Sequence, residues 1–511
     1  MENPGFDMID KIPTQTDEHY AATMVFGIAF VLLLLMNLQV LTDPPYWDAL
    51  TGIYSQAVWL KDHNFDYFQL WHQPKWVDGG PHVKILYVLA PVYALLIKFL
   101  GAGWAFTSIH IFNIFCAALT FTLFYVFLRD HMPDKLALLW CSAAALDPIW
   151  SGQVASLYIE IPQAACYGAT ILALHRRRYL LAALFCLVAF LVKSSALLLA
   201  LAMLIWFIGY RLGLHFTVDY NNTHKKIWPD AYVAAPFPVL FWLANQMNAD
   251  NFKLQWNLSD IFYSVKILLP FQTGILVLTG FILAVTLIRW KLWGTDYWYN
   301  DRFLIVSFLT ILAGGFWAAY HLYPLPLCRY AASVVFPMIA LLGLLVTRWS
   351  YRMAVLLACL LIIIGTANQY GLLLPSLPTP VARSGEHLER SREYLLDLTS
   401  NQRVCRFLEK NYFDHPIVVK YPFAHMLSSS DLGYVRKPLP DIHVAGRRPT
   451  FTQTRQFEPG KETKKPPLHV YTPNVFEHYT VPTFVPDPKS EIVYTDIALG
   501  AATIVYRPPG K

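Results

Sequence analysis

A carboxylate stands where the first apolar segment of the chain ends. Asp43 follows the run from Ala21 to Leu41, which is long enough to cross a bilayer, and it opens a polar, aromatic-rich loop that extends to Lys84. A membrane enzyme would hold a catalytic base at such a place. Asp48, five residues further on, is a second candidate carboxylate.

Other ionisable residues interrupt the apolar segments near their predicted ends. Such groups are costly at a membrane boundary, and by default they line a cavity or a substrate path. Four separate loops predicted on one side of the membrane contribute to the set: Asp43, Asp48, His82, Lys84, Asp147, Glu160, Lys193, His321 and Arg329.

Each candidate also has a structural interpretation. Asp43 is placed to cap a helix beginning near Pro44, with proline at the first helical position. A lysine or arginine at a span end often only reaches to the interface, and His82 and His321 are more often structural than metal-binding. The aromatic residues of the first loop fit an interfacial belt at least as well as a platform for stacking sugars: Tyr46, Trp47, Trp59, Trp71 and Trp76.

The composition is that of a polytopic membrane protein. Of 511 residues, 56% are hydrophobic and only 14% are charged, and the apolar residues form blocks rather than amphipathic stripes. The acidic N-terminus lacks a basic region and a cleavage site, so the first run is expected to be a retained anchor. The net charge of +6 comes from basic residues scattered at span ends, which gives no indication of nucleic acid binding. Six of the seven cysteines lie in apolar segments, so neither a disulfide framework nor a zinc ribbon is expected.

The hydropathy pattern predicts about eleven transmembrane helices. The segment 85–100 is apolar but contains Pro91, and we predict it to be a juxtamembrane helix of the first outer loop, 42–103. This choice places five basic groups on one side of the membrane, as the positive-inside rule requires. The predicted crossings are 20–41, 104–128, 136–148, 158–174, 179–192, 195–212, 231–247, 272–290, 303–320, 329–347 and 353–374.

The composition changes after the last predicted crossing. Residues 376–511 are rich in proline and charge, with a helical stretch near Glu386 to Lys410 and strand-like stretches at Pro416 to Lys420 and near the C-terminus. We therefore predict a transmembrane domain, 1–375, and a small extracytoplasmic α/β domain, 376–511, joined by a Pro-rich linker.

Five segments, in order, resemble the GT-C superfamily of integral membrane glycosyltransferases, particularly the branch with protein O-mannosyltransferases and aminoarabinose transferases. They are TDPPYWDA, GGPHVKILYVLAPVYALL, SGQVASLYIEIPQAACYGATILAL, FLVKSSALLLA and RYAASVVFPMIALLGLL. The resemblance covers about 20–347, and it implies a GT-C-like fold and a lipid-phosphate sugar donor.

The resemblance also implies roles for individual residues. Asp43 falls at the catalytic carboxylate, Glu160 at the second acidic residue of the site, and Lys84 at a lysine that faces the donor phosphate. The frequent Asp-Glu pair of the family is Asp43-Pro44 here, which makes Asp48 a candidate substitute. Some relatives hold a metal near the phosphate, and His82 and His321 are the candidate ligands for a divalent ion.

The chemistry of such a transfer requires a base for the acceptor hydroxyl and positive charge for the departing phosphate. Asp43 is the predicted base, and the predicted phosphate-binding residues are Lys84, Lys193, Arg329 and the adjacent Tyr330. A single base opposite the leaving group implies inversion at the anomeric carbon. The predicted partners are a polyprenyl-phosphate-sugar donor, an acceptor protein, lipid or glycan, and membrane lipids. The predicted location is a bacterial inner membrane, with the site facing the periplasm.

Three alternative functions remain open at this level. A lipid-linked glycan polymerase or ligase would share the topology and differ in needing a second lipid-linked substrate. A transporter would place its carboxylates in the middle of spans, whereas these cluster at one side. A non-catalytic scaffold with a degenerate site is the third alternative, because the family's acidic pair is incomplete.

Overall fold

The computed structural model describes residues 15–71, 88–217, 227–247, 265, 269–293, 301–322, 328–373, 389–420, 422–445, 455–456, 465–472, 486–498 and 501–509. The helices of its N-terminal two thirds are α1 (Gln15–Asn37), α2 (Trp47–Ala49), α3 (Ser55–Asp62), α4 (Tyr67–Trp71), α5 (Ala90–Arg129), α6 (Asp134–Ala145), α7 (Pro148–Ala155), α8 (Glu160–His175), α9 (Tyr179–Val192), α10 (Leu197–Thr217), α11 (Ile227–Ala234), α12 (Pro236–Met247), α13 (Pro270–Trp293), α14 (Asp301–Leu322), α15 (Ala332–Trp349) and α16 (Tyr351–Ala367).

Apolar helices dominate this part of the chain, as the sequence predicts. Among the described residues, four helical segments are long and apolar enough to cross a membrane: His19–Val40, Ala90–Arg129, Pro270–Ile288 and Cys328–Trp349. Five shorter apolar helices accompany them. The count of eleven crossings therefore stays a prediction.

Helix α5 joins the predicted juxtamembrane segment to the predicted span that follows it. The two parts meet at Gly101, whose backbone is not helical (φ 71°, ψ 164°). Helix α5 packs against α1, α3, α6 and α8, and α8 packs in turn against α9. Helix α5 thus links the first loop to the bundle.

The C-terminal part forms a mixed α/β unit, which confirms the predicted class. Its elements are α17 (Tyr394–Asn411), β1 (Ile417–Val419), α18 (Phe423–Ser428), β2 (Ile442–Val444), β3 (Arg455–Gln456), β4 (Leu468–Tyr471), β5 (Glu491–Ala498) and β6 (Ala501–Arg507). The strands form one sheet in the order β3-β2-β1-β4-β6-β5. Strands β1 to β4 pair in parallel, and β4, β6 and β5 pair antiparallel. The predicted domain boundary near 375 lies outside the described residues.

Two hydrophobic cores hold the described structure together. One lies among the bundle helices. The other is shared by the first loop and the C-terminal unit, because Tyr46, Trp47 and Trp59 pack in the same cluster as Leu408 and Val505. These three aromatic side chains are buried, which contradicts the interfacial-belt and sugar-platform interpretations for them. Burying large aromatic surfaces fixes the C-terminal unit on the first loop.

Candidate active site

The backbone around Asp43 is held by two helices. Its N–H donates to the carbonyl of Val40 (3.0 Å), and its own carbonyl lies 3.2 Å from Nε2 of His110 on α5. No helix begins at Pro44: the next helix begins at Trp47, and the residue before it provides no side-chain cap. The predicted capping role of Asp43 is therefore wrong.

The side chain of Asp43 is directed to the C-terminal unit. It is half-buried, forms a side-chain hydrogen bond with Gln402 and interacts electrostatically with Arg406, both on α17. Burial raises the pKa of Asp43 from 3.8 to about 6, although the Gln402 hydrogen bond and the charge of Arg406 lower it. A carboxylate with this pKa is suited to accept a proton near neutral pH.

A cluster of four charged residues, three of them buried and Lys193 half-buried, forms the second part of the site. Arg329 lies in a short 3₁₀ helix (Cys328–Ala331) before α15 and is 3% exposed. Its Nε lies 3.2 Å from Oε1 of Glu160, and its Nη1 lies 2.7 Å from Oε1 of Glu389. Lys193 also contacts Oε1 of Glu160. We call these four residues, Glu160, Lys193, Arg329 and Glu389, the charge quartet.

Two tyrosines enclose the cations of the quartet. The guanidinium of Arg329 lies 4.8 Å from the ring centroid of Tyr158 and 5.2 Å from that of Tyr330, and Nζ of Lys193 lies 4.2 Å from the Tyr330 ring. Aromatic faces attract cations and exclude water from them. The arrangement is that of a desolvated cation site at one end of the bundle.

Local hydrogen bonds position the quartet. Glu160 is the first residue of α8, and Asn113 of α5 donates to the carbonyls of Ser156 (3.0 Å) and Tyr158 (3.2 Å) just before it. Gln163, one turn into α8, donates to the carbonyl of Lys193 at 3.0 Å. The segment preceding α8 and the turn that carries Lys193 are thereby fixed to the bundle.

One atom of the quartet lacks a protein partner. Oε2 of Glu160 is buried and forms no hydrogen bond within the described part of the chain. An unsatisfied buried carboxylate oxygen is costly, so a ligand hydroxyl or ammonium donating to it would recover that cost.

Tyr394 connects the quartet with Asp43. Its hydroxyl donates to the carbonyl of Gly152 at 3.2 Å, and its pKa, raised well above the usual value by burial, is influenced by the charges of both Asp43 and Glu389. Tyr394 therefore lies within electrostatic reach of both the predicted base and Glu389 of the quartet.

The structure brings together four of the predicted site residues, namely Glu160, Lys193, Arg329 and Tyr330. Helix α5 links them with Asp43, because His110 contacts the carbonyl of Asp43 and Asn113 binds the segment before Glu160. Lys84 and His82 lie outside the described residues, as do the side chains of Asp48 and His321. Within the described residues no group of three or more His, Cys, Asp or Glu side chains is arranged to hold a metal.

Asp147 has a structural role. Its Oδ1 accepts hydrogen bonds from the N–H groups of Ile149 (2.9 Å) and Trp150 (3.2 Å), and its Oδ2 accepts one from Gln272 (2.8 Å). It caps α7, with Pro148 at the first helical position. The cap predicted for Asp43 is found here instead.

Sequence reasoning missed four residues of the site. Tyr158 stands two positions before Glu160 in the motif SLYIE, a spacing that gives no signal of its own. Glu389, Gln402 and Arg406 come from the C-terminal unit, more than 200 residues from Glu160, and only the run of charges in ERSRE marks the first of them.

Comparisons with known proteins bear on the fold. The sequence matches no protein-family model, and no curated protein matches it at a significant level. Among solved structures, ArnT from Cupriavidus metallidurans bound to undecaprenyl phosphate aligns with a TM-score of 0.52 at 12% identity, covering 95% of this chain and 98% of ArnT. The same ArnT in the apo state aligns with a TM-score of 0.46, at 12% identity and the same coverage. The first alignment shows that this chain has the fold of ArnT.

Proposed function

We propose that the protein is a membrane glycosyltransferase that moves a sugar from a polyprenyl-phosphate donor to an acceptor on the extracytoplasmic face. The observation that carries the proposal is that α5 holds both parts of the site. Its His110 contacts the carbonyl of Asp43, and its Asn113 binds the segment that leads into Glu160, which contacts Lys193 and Arg329. The ArnT-like fold supports it, since that structure is bound to undecaprenyl phosphate.

The proposed reaction is a single displacement. Asp43 takes the proton of the acceptor hydroxyl while the acceptor oxygen bonds to the anomeric carbon. The bond from that carbon to the phosphate oxygen breaks at the same time, and its electron pair leaves with the polyprenyl phosphate. Attack opposite the leaving group inverts the anomeric configuration.

The cations of the quartet have a defined task in this step. Negative charge grows on the phosphate as its bond to the sugar breaks, and preorganised positive charge in a dry site stabilises it. Arg329 is buried, Lys193 is half-buried, and the rings of Tyr158 and Tyr330 pack against these cations, so water screens their charge less than at an open surface. No separate general acid is needed, since a lipid phosphate is already a fair leaving group.

The two carboxylates have different tasks in the proposal. Glu160 is buried and contacts both cations, so it orients them and offers Oε2 to a hydroxyl or amine of the substrate. Asp43 is half-buried and lies outside the quartet, so it can receive a proton.

The test is mass spectrometry of polyprenyl-phosphate sugars in cells with the wild-type protein, a deletion, or Asp43→Asn expressed at the same level. The proposal predicts that both mutants accumulate the same polyprenyl-phosphate sugar, which also identifies the donor. If all three pools are alike, the transferase function is refuted, and a scaffold or transport role becomes the better account.

A further inference from the structure

Five consecutive residues of the C-terminal unit are buried although four of them are charged. They are Glu389, Arg390, Ser391, Arg392 and Glu393, and we call them the buried strap. Burying charge is costly unless each group is paired, so a strap of this composition is expected to have specific partners.

The strap is fixed to the bundle by hydrogen bonds and close packing. Arg392 donates to the carbonyl of Met36 (3.1 Å) and to Oδ1 of Asn37 (2.7 Å) on α1, and its own N–H donates to the carbonyl of Gln369 (2.8 Å). A Cβ at Gly152 of α7 would lie only 2.7 Å from the carbonyl oxygen of Ser391. Contacts with α1, with α7 and with the residues after α16 hold the strap in place.

The first residue of the strap reaches into the charge quartet. Both carboxylate oxygens of Glu389 lie within hydrogen-bond distance of Nη1 of Arg329, at 2.7 and 2.8 Å. The hydroxyl of Tyr158 donates to Oε1, and Gln153 donates to the backbone carbonyl of Glu389 at 3.3 Å. Glu389 is fully buried, so these contacts fix both its position and that of Arg329.

The charge of the quartet depends on Glu389. Lys193 and Arg329 carry two positive charges, and Glu160 and Glu389 carry two negative charges, so the quartet is neutral when all four are ionised. Without Glu389 the same pocket of charges would carry +1. In a desolvated site, one uncompensated charge a few ångströms from a phosphate changes its affinity strongly.

Affinity for the phosphate does not by itself speed the transfer. The donor phosphate is a diester with one negative charge, whereas the polyprenyl phosphate product is a monoester with up to two, so an extra positive charge binds the product more tightly than the donor. That difference slows the release of the product after transfer. A neutral site with a fixed Arg329 avoids that penalty.

We propose that Glu389 is a positioning residue of the donor-phosphate site. It fixes the guanidinium of Arg329 between Tyr158 and Tyr330 and makes the quartet neutral, so that polyprenyl phosphate is held by a well-placed Arg329 rather than by net positive charge and is released after transfer. The inference rests on the proposed function and deepens it, because it gives the C-terminal unit a part in the site.

The test uses the full-length protein in lipid nanodiscs, with undecaprenyl phosphate as the binding probe, and transfer kinetics with the donor identified in cells. For Glu389→Gln, which keeps the shape and removes the charge, we expect undecaprenyl phosphate to bind at least about fivefold more tightly. We expect kcat to fall at least about fivefold, because product leaves slowly and Arg329 loses an ionic partner.

Two further variants separate charge from structure. Glu393→Gln changes a glutamate of the same strap that pairs with Arg390 at 3.1 Å, outside the quartet. Breaking this buried pair should lower the stability of the protein, but in the folded variant both constants should stay within about twofold of wild type, because the charge of the quartet is unchanged. Glu389→Asp keeps the charge but shortens the side chain, so the affinity for undecaprenyl phosphate should stay close to wild type while kcat falls.

The outcomes distinguish the inference from the proposed function. If Glu389→Gln binds the probe no more tightly than wild type, or if Glu393→Gln behaves in the same way as Glu389→Gln, the positioning role is wrong and the proposed function stands. If Glu389→Gln is not recovered as folded protein, Glu389→Asp decides, and tighter binding by that variant refutes the charge argument. If wild type neither binds undecaprenyl phosphate nor transfers sugar, the proposed function and this inference fail together.

Discussion

The pH dependence of transfer tests the assignment of Asp43 as the base. Its pKa is raised from 3.8 to about 6 by burial, and Gln402 and Arg406 limit the rise. A base must be deprotonated to act, so kcat/KM should fall as the pH drops through about 6. A carboxylate with the ordinary value of 3.8 would lose activity only below about pH 4.

The size of the effect follows from the titration. A carboxyl with a pKa of about 6 is about 91% ionised at pH 7 and about 9% ionised at pH 5, so kcat/KM should fall about tenfold between these two values. An unshifted carboxyl would stay more than about 90% ionised over the same range. The two cases are therefore well separated.

Two arginines on one helix provide a matched pair for this assay. Removing Arg406 takes away a charge that lowers the pKa of Asp43, so Arg406→Met should move the acidic limb of the profile to higher pH. Arg403 is paired with Asp496 at 2.6 Å and does not contribute to the shift in the pKa of Asp43. Arg403→Met should therefore leave the acidic limb of the profile at the same pH.

A second buried carboxyl must be separated from Asp43 in the same profile. Burial raises the pKa of Asp397 to about 7, and its carboxylate accepts a hydrogen bond from Tyr46 of the first loop. Asp397→Asn should keep the limb near pH 6. A pH profile of kcat/KM that is flat from pH 7 to 5 would refute the assignment of Asp43 as the base. An acidic limb that shifts in Asp397→Asn but not in Arg406→Met would refute it as well.

Three further predictions concern stability and docking. Because burial raises the pKa of Asp43, the folded protein binds the proton of this carboxyl more tightly than the unfolded chain does, and this stabilisation is lost as the pH rises from 3.8 through about 6. Asp43→Asn should therefore raise Tm above pH 7 and leave it unchanged near pH 4. Thermal unfolding of both proteins at the two pH values checks this. Gly152→Ala should displace the buried strap, since the new Cβ would lie 2.7 Å from a backbone oxygen of Ser391. It should lower the free energy of unfolding by about 1–3 kcal/mol and reduce the transfer activity. Gly433→Ala should loosen the C-terminal unit, because φ is 83° and the Cβ would lie 2.5 Å from Phe106; faster limited proteolysis of that unit in the variant is the expected result.

The membrane part of the fold was predictable because hydropathy acts locally. Runs of apolar residues are long in comparison with loops, and charged residues at their ends mark the boundaries. Hydropathy also marked Glu160, Lys193 and Arg329 as candidate site residues, because ionisable groups beside an apolar run are energetically costly. Strands β1, β5 and β6 were also marked by their β-branched and apolar residues.

The rest of the site depends on long-range packing that local patterns do not encode. Glu389 belongs to a charged run that looks like a solvated surface, yet the strap is buried because Arg390 and Arg392 find partners in the strap itself and on α1. The helix expected at Pro44 begins at Trp47, and Tyr46, Trp47 and Trp59 of the first loop pack in one core with the C-terminal unit.

Transfer by purified protein in liposomes measures whether Asp43 is the base of the reaction. Wild type and Asp43→Asn, at equal density, are given the polyprenyl-phosphate sugar that accumulates in the mutant cells together with acceptor extract, and the release of polyprenyl phosphate is followed by mass spectrometry. We expect release by wild type and a rate at least about 100-fold lower for Asp43→Asn, the usual minimum for the loss of a general base. Equal rates for the two proteins would show that Asp43 is not the base.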